Sequence, residues 1–144
     1  APGRALEEAD AQPGFEAGDG LADRRAGQVE PLGRRGEDIG ASYLESLGWD
    51  IHTRNFHTRF GEIDIIASDG ASLVFVEVKT RRTRTFGPGI HSVTSTKLAH
   101  TRRAIGLYLL DNSPPHRDIR IDALDIFLQE DTAPLIDHYR SIES

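Results

Sequence analysis

The sequence predicts an α/β domain in which helices flank a mixed β-sheet. Three observations lead there. Two separated segments carry apolar residues at helical spacing. Four segments rich in Val, Ile and Phe carry strand patterning between and after them. The resulting order is helix, three strands, helix, strand, which builds a sheet with helices packed on it.

The first helix is expected from Arg34 to Leu47. Ile39, Tyr43 and Leu47 recur at spacing four with Leu44 beside them, and Gly48 is placed to end the helix in a left-handed cap. Trp49 to Phe56 alternates and reads as the first strand, and Gly61 to Ala67 as the second. Asp69-Gly70 is a turn signal before a third strand, Leu73 to Lys79, so a hairpin joins the second and third. Phe86-Gly87-Pro88-Gly89 breaks the chain. A second helix is expected from about Thr96 to Leu110, with Leu98, Ile105 and Leu109 on one stripe. Arg120 to Leu128 reads as a fourth strand, and Leu135 to Arg140 as a short last one. Residues 1–31 are rich in Ala, Gly, Asp and Glu, lack an apolar period, and are expected to be disordered; residues 32–144 form the domain.

Composition narrows the chemistry. The chain has 144 residues and no cysteine, so disulfides, thiolate metal sites and a cysteine nucleophile are excluded. No apolar run approaches the ~18 residues of a membrane helix, and Ala1-Pro2-Gly3-Arg4 does not open a secretory signal. A soluble, cytoplasmic protein without a membrane partner is the expectation. The histidines form no H-E-x-x-H pattern, and no G-x-S-x-G supports a serine nucleophile.

The net charge of −6 is unevenly spread. Residues 1–32 hold seven acids against three arginines, whereas no acid lies between Glu77 and Asp111. That stretch carries Lys79, Arg81, Arg82, Arg84, Lys97, Arg102 and Arg103. Such a local positive field can bind phosphate on an acidic chain. It is also what a solvated charged surface looks like.

Strand alternation puts Glu62 and Asp64 on one face, with Ile63 and Ile65 on the other. It likewise puts Glu77 and Lys79 on one face, opposite Val76 and Val78. Charges beside a core are costly unless they are paired or bind metal. Phosphodiester hydrolysis gives a reason to keep them, because a hard cation held by carboxylates offsets charge on the phosphate and acidifies a water. Two carboxylates plus solvent suit Mg²⁺. A lysine two residues after a ligand returns to the same side and can orient the attacking hydroxide. An E-x-K alone also describes a cross-strand ion pair; Asp64, twelve intervening residues and Glu77-x-Lys79 across a hairpin is the more specific pattern.

Gly36-Glu37, Arg54-Asn55-Phe56, GEIDIIA and FVEVKTR together resemble the YraN-like family of small bacterial proteins, over roughly Gly33 to Arg140. The likeness extends to Phe86-Gly87, Lys97 and Arg120-x-Asp122. The resemblance implies a restriction-endonuclease-like core of the PD-(D/E)xK type, similar to archaeal Holliday junction resolvases. It implies a Mg²⁺- or Mn²⁺-dependent endonuclease acting on DNA, branched or structured DNA included, and a homodimer. Asp64 and Glu77 then resemble the metal-binding carboxylates, the Val78 carbonyl a further ligand, and Lys79 the catalytic lysine. Glu37 resembles a first-helix catalytic glutamate, although a first-turn acid favoured by the helix dipole reads the same. Glu62 would assist the metal or pair with Lys79. Arg81, Arg82, Arg84 and Lys97 would hold phosphates, and the solvated face is preferred for His100. Gly40 departs from the family pattern, where alanine is common, and weakens the helix by about 1 kcal/mol. Two other readings stay open: a nucleic-acid-binding module on a nuclease fold that no longer cuts, and an adaptor whose basic stretch meets an acidic partner.

Overall fold

The computed structural model describes residues 10–11, 32–82 and 94–143. The elements run β1 (Asp10–Ala11), α1 (Leu32–Ser46), β2 (Asp50–Thr58), β3 (Gly61–Asp69), β4 (Ser72–Arg81), α2 (Ser95–Asp111), β5 (Asp118–Phe127) and β6 (Leu135–Tyr139). The strands form one mixed sheet in the order β1-β6-β5-β4-β3-β2. Only β4 and β5 pair in parallel, joined by the crossover through α2. This is the α/β arrangement of a restriction-endonuclease-like core. Apart from the two-residue β1, residues 1–31 lie outside the described residues, and the expectation of disorder lies there with them.

Each helix covers one face. Ile39, Tyr43 and Leu44 of α1 pack with Ile65, Val74, Val76, Leu124 and Ile126. Ala104, Ile105 and Tyr108 of α2 pack with Ile63, Ile66, Phe75 and Ile121 on the other side. Leu98 and Leu109 complete that stripe as expected. Leu47 does not join the core; it is 39% exposed, just past the end of α1. There the Trp49 N–H reaches the Leu44 carbonyl and the Gly48 N–H the Glu45 carbonyl, with Gly48 at φ 88. That bond pair is the left-handed glycine cap read from the sequence. Thr94 caps α2 by accepting from the Lys97 N–H at 3.1 Å.

Two glycines set how closely α1 approaches the sheet. A Cβ on Gly36 would lie 1.7 Å from Thr80 Oγ1, and one on Gly40 would lie 3.1 Å from Leu124 Cδ1. Spaced four apart, they make a flat stripe on one helix face. The helix propensity lost at Gly40 is therefore exchanged for close packing on β4 and β5.

A buried polar network ties the far end of the sheet to α1. Asp122 and His138 are both fully buried. Asp122 bonds His138 Nε2 at 2.9 Å, Arg120 Nε at 2.9 Å and the Ser141 N–H at 3.0 Å. His138 Nδ1 lies 3.1 Å from the Tyr43 hydroxyl. The Arg120 guanidinium also sits over Trp49 and reaches Asp69. Burial pushes the Asp122 carboxyl upward, but the bonds from His138 and Arg120 prevail and hold it below the usual aspartate range. Arg120-x-Asp122 is thus a buttress of the fold.

Candidate functional site

The strict alternation expected in β3 breaks at Asp64. Ile65 packs on the α1 side and Ile63 on the α2 side, so the two do not share a face. The cause lies in the neighbouring strand. Asn55 has φ 55, a left-handed conformation that a residue with a short polar side chain tolerates. The β2–β3 ladder pairs Arg54 with Ile65 and Phe56 with Ile63, leaving Asn55 opposite Asp64. One irregular residue re-aims the side chains on either side of it, as a bulge does.

The motif Arg54-Asn55-Phe56 therefore divides its work. Arg54 bonds Asp38 of α1 at 2.6 Å. The Asn55 side chain bonds Glu37. Phe56 turns inward against Tyr108, ring centroids 5.3 Å apart. The sequence carries one local signal for this geometry, since Asn is enriched at positive φ.

On the other side of β3, the ladder to β4 ends at Ile65–Val76. Beyond it the strands part, and Asp64 Oδ2 accepts the Val78 N–H at 2.7 Å. Val78 thus enters the site through its N–H. At this opening Glu37, Glu62 and Asp64 converge, one carboxylate oxygen from each lying within 4.8 Å of the others. Gly36, pressed on Thr80, is what lets α1 bring Glu37 so close. Glu62 also reaches His57 at 2.9 Å.

The electrostatics are those of crowded anions. Burial, then Glu77, push the Asp64 carboxyl up to about 8; the Val78 N–H opposes the shift, and Glu37 and Glu62 add to it. Burial, then Glu62, also raise Glu37, against Arg54 and Asn55. Like charges that disfavour one another's ionisation mark a site that wants a cation.

Glu77 stands beside this group but is held by Lys97, whose Nζ lies 3.0 Å from Glu77 Oε2. The expected pair of Asp64 and Glu77 is thus joined by Glu37 and Glu62, and the three acids that crowd together are the latter two with Asp64. Lys79 is half-buried, and its side chain makes no hydrogen bond or ion pair among the described residues.

The basic residues divide. Arg81 is bound by the buried Asp125 through two bonds, of 3.0 and 3.3 Å, which tie it to the sheet. Arg82 is exposed. Arg84 and the Phe86–Gly89 break lie outside the described residues.

The donor set fits a hard divalent cation. It consists of carboxylate oxygens alone, which suits Mg²⁺ or Mn²⁺ better than a softer ion.

Fold and site together define an α/β protein with a restriction-endonuclease-like core and an acid cluster where its central strands part. The chain belongs to the family described as "Uncharacterised protein family UPF0102", which it matches over residues 36–126; this is the YraN-like family named above. It is 38% identical over 118 residues to a UPF0102 protein of Nocardia farcinica, covering 82% of this chain and 93% of the relative. It is 44% identical over 107 residues to UPF0102 protein GSU0650 of Geobacter sulfurreducens, covering 74% and 84%. A UPF0102 protein of Mycolicibacterium vanbaalenii is 36% identical over 111 residues, covering 77% and 92%. No helix among the described residues is long and apolar enough to cross a membrane.

Proposed function

We propose that this protein is a Mg²⁺- or Mn²⁺-dependent endonuclease that hydrolyses phosphodiester bonds in DNA. One observation carries the reading: Glu37 of α1 and Glu62 and Asp64 of β3 converge at a gap beside the Glu77-x-Lys79 strand, with the Glu37 and Asp64 carboxyls raised. A purely structural cluster would bury its acids against cations, as Asp122 is buried against Arg120.

Glu37, Glu62, Asp64 and Glu77 are the residues that would hold the metal. When bound, the ion supplies positive charge to the phosphate and acidifies a water. Asp64, whose carboxyl is raised without a cation, would hold the ion in its ionised form. Its Val78 bond fixes which oxygen stays turned toward the strand. Lys79, without a carboxylate partner, is available to steady the attacking hydroxide and the charge growing on the phosphate. Water oxygen bonds to phosphorus, the bond to the leaving nucleotide oxygen breaks, and that oxygen takes up a proton. Lys97 and Arg82 would bear on flanking phosphates.

The test is incubation of the full chain with single-stranded, flapped, four-way and plasmid DNA, with Mg²⁺, Mn²⁺ or EDTA. Metal-dependent cleavage that Asp64→Asn and Lys79→Ala both abolish supports the reading. Cleavage surviving both substitutions, or none under any condition, overturns it. Light scattering checks the expected homodimer.

A further inference from the structure

Beside the acids lies a cavity of about 130 Å³, between the β2–β3 turn and the first turns of α2. Phe60, Glu62, Lys97, His100 and Thr101 line it, with Ala104 at its base. It is continuous with the acid cluster, since Glu62 belongs to both and Lys97 also holds Glu77.

Phe60 is the unusual member. A half-buried aromatic in a chain of this size is normally packed in a core, yet Phe60 belongs to neither apolar cluster. It sits in the two-residue turn Arg59-Phe60. The Thr58 hydroxyl fixes that turn by accepting the Phe60 N–H at 3.0 Å and donating to the Gly61 carbonyl at 2.8 Å. Two guanidinium groups lie against its ring, Arg59 at 4.9 Å and Arg103 at 5.4 Å from the centroid. The fold thus holds an aromatic ring at the mouth of a cavity and surrounds it with cations.

Size and charge select the occupant. The space is well below the ~300–1,000 Å³ of a drug-sized pocket, and suits a single ring or sugar. Glu62 in the lining disfavours an anion inside and favours a neutral ring that carries amino donors. Lys97, Arg59 and Arg103 at the rim favour a phosphate outside. A neutral base inside with its phosphate at the rim describes one nucleotide. Only a base that has left its stack can enter a concave site, and aromatic and guanidinium surfaces are what such bases stack on.

We propose that this cavity binds an unpaired nucleotide flanking the scissile phosphate, its base against Phe60 and its phosphate at Lys97 and Arg103. The proposal rests on the hydrolytic reading for the word scissile, and it assigns the substrate a single-stranded segment beside the cut.

The experiment measures binding of a short single strand carrying the fluorescent base aminopurine, with EDTA present so that cleavage does not intervene. A blunt duplex of the same sequence is the comparison. The expected result is a change in aminopurine emission on binding, as the base leaves its neighbours, that Phe60→Ala removes. Phe60→Ala should weaken single-strand affinity by about 5- to 150-fold, the worth of one base–aromatic stack. Phe60→Trp should retain affinity, and the duplex should be indifferent to both changes. Because Phe60 lies outside both cores, an unchanged thermal unfolding curve shows that Phe60→Ala is folded. The proposal is overturned by Phe60→Ala binding single strands as the wild type does, or by aminopurine emission that does not change on binding. Cleavage is scored separately. Phe60-independent binding with metal-dependent cutting refutes the subsite and leaves hydrolysis standing. Phe60-dependent binding without cutting does the reverse.

Discussion

Asp64→Asn should make the metal-free protein more stable, and by an amount that grows with pH. Asp64 is 7% exposed, and its carboxyl is raised from the ordinary 3.8 to about 8 by burial and by Glu77. The sign follows from linkage. The folded chain holds the proton more tightly than the unfolded chain, so this group's contribution is complete below about pH 4. It is lost progressively as pH rises toward 8. Each pH unit inside that window removes about 1.4 kcal/mol. At pH 7 about three units have been crossed, for a cost on the order of 2–4 kcal/mol, the lower figure applying where Glu37, also raised, shares the proton. Asparagine cannot ionise, and its carbonyl oxygen can still accept the Val78 N–H. The assay is urea unfolding of both proteins in EDTA at several pH values from 5 to 8, followed by circular dichroism with m-values compared. The stability gap should widen with pH, and Mn²⁺ should stabilise the wild type but not the variant. A gap that stays flat across this range would refute the claim that crowding and burial strain Asp64.

Three further outcomes follow from the same geometry. Lys97→Met should tighten Mn²⁺ binding in calorimetry, because the Lys97 ammonium 3.0 Å from Glu77 competes for that carboxylate; it should also lower the salt dependence of DNA binding by about one phosphate contact. Gly36→Ala should destabilise the fold by about 1–3 kcal/mol through overpacking on Thr80, with part recovered in the Thr80→Ala background as a non-additive double mutant. Asp122→Ala should cost about 3–5 kcal/mol in urea unfolding at neutral pH, because it strands Arg120 and His138 in the interior. In the wild type, Asp122 has a lowered carboxyl pKa, so its contribution is present above the ordinary aspartate range and fades as pH falls below about 4.

What was legible in the sequence follows from which forces are local. Apolar periodicity and turn chemistry placed both helices, the Gly48 cap and the Asp69-Gly70 hairpin, because those depend on neighbours a few residues away. Gly70, at φ 59, stands in the turn its sequence signalled. The spacing of Asp64, Glu77 and Lys79 across a hairpin is legible for the same reason, and β3 and β4 pair as that hairpin requires. Strand alternation failed at Ile63 and Ile65, since the irregularity originates in another strand, at Asn55. The Arg81–Asp125 pair is not legible in the sequence, because Asp125 is distant along the chain and reaches Arg81 only through parallel pairing of β4 and β5. Glu62 was placed as a helper because nothing in a strand pattern tells that α1 will deliver Glu37 beside it. Phe60 went unnoticed because a turn aromatic acquires meaning only when α2 brings Arg103 against it.

The two buried aspartates argue what kind of place each occupies. Asp122 and Asp64 lie in strands of one sheet, and both are nearly sealed from solvent. Desolvation is the leading influence on both, and it pushes both upward. Their neighbours decide the outcome in opposite directions. Asp122 receives a guanidinium, an imidazole and a backbone N–H, which hold its negative charge in place. Asp64 receives one backbone N–H and is surrounded by Glu37, Glu62 and Glu77. A fold able to supply Asp122 with cations had the means to do the same for Asp64. Instead, Arg54 is turned to Asp38, Arg81 to Asp125 and Lys97 to Glu77. Those three cations are committed to other carboxylates, Lys79 makes no ion pair with Asp64, and a bound divalent ion would supply the positive charge that Asp64 lacks. That asymmetry, more than the motif itself, is the physical case for a metal at this position.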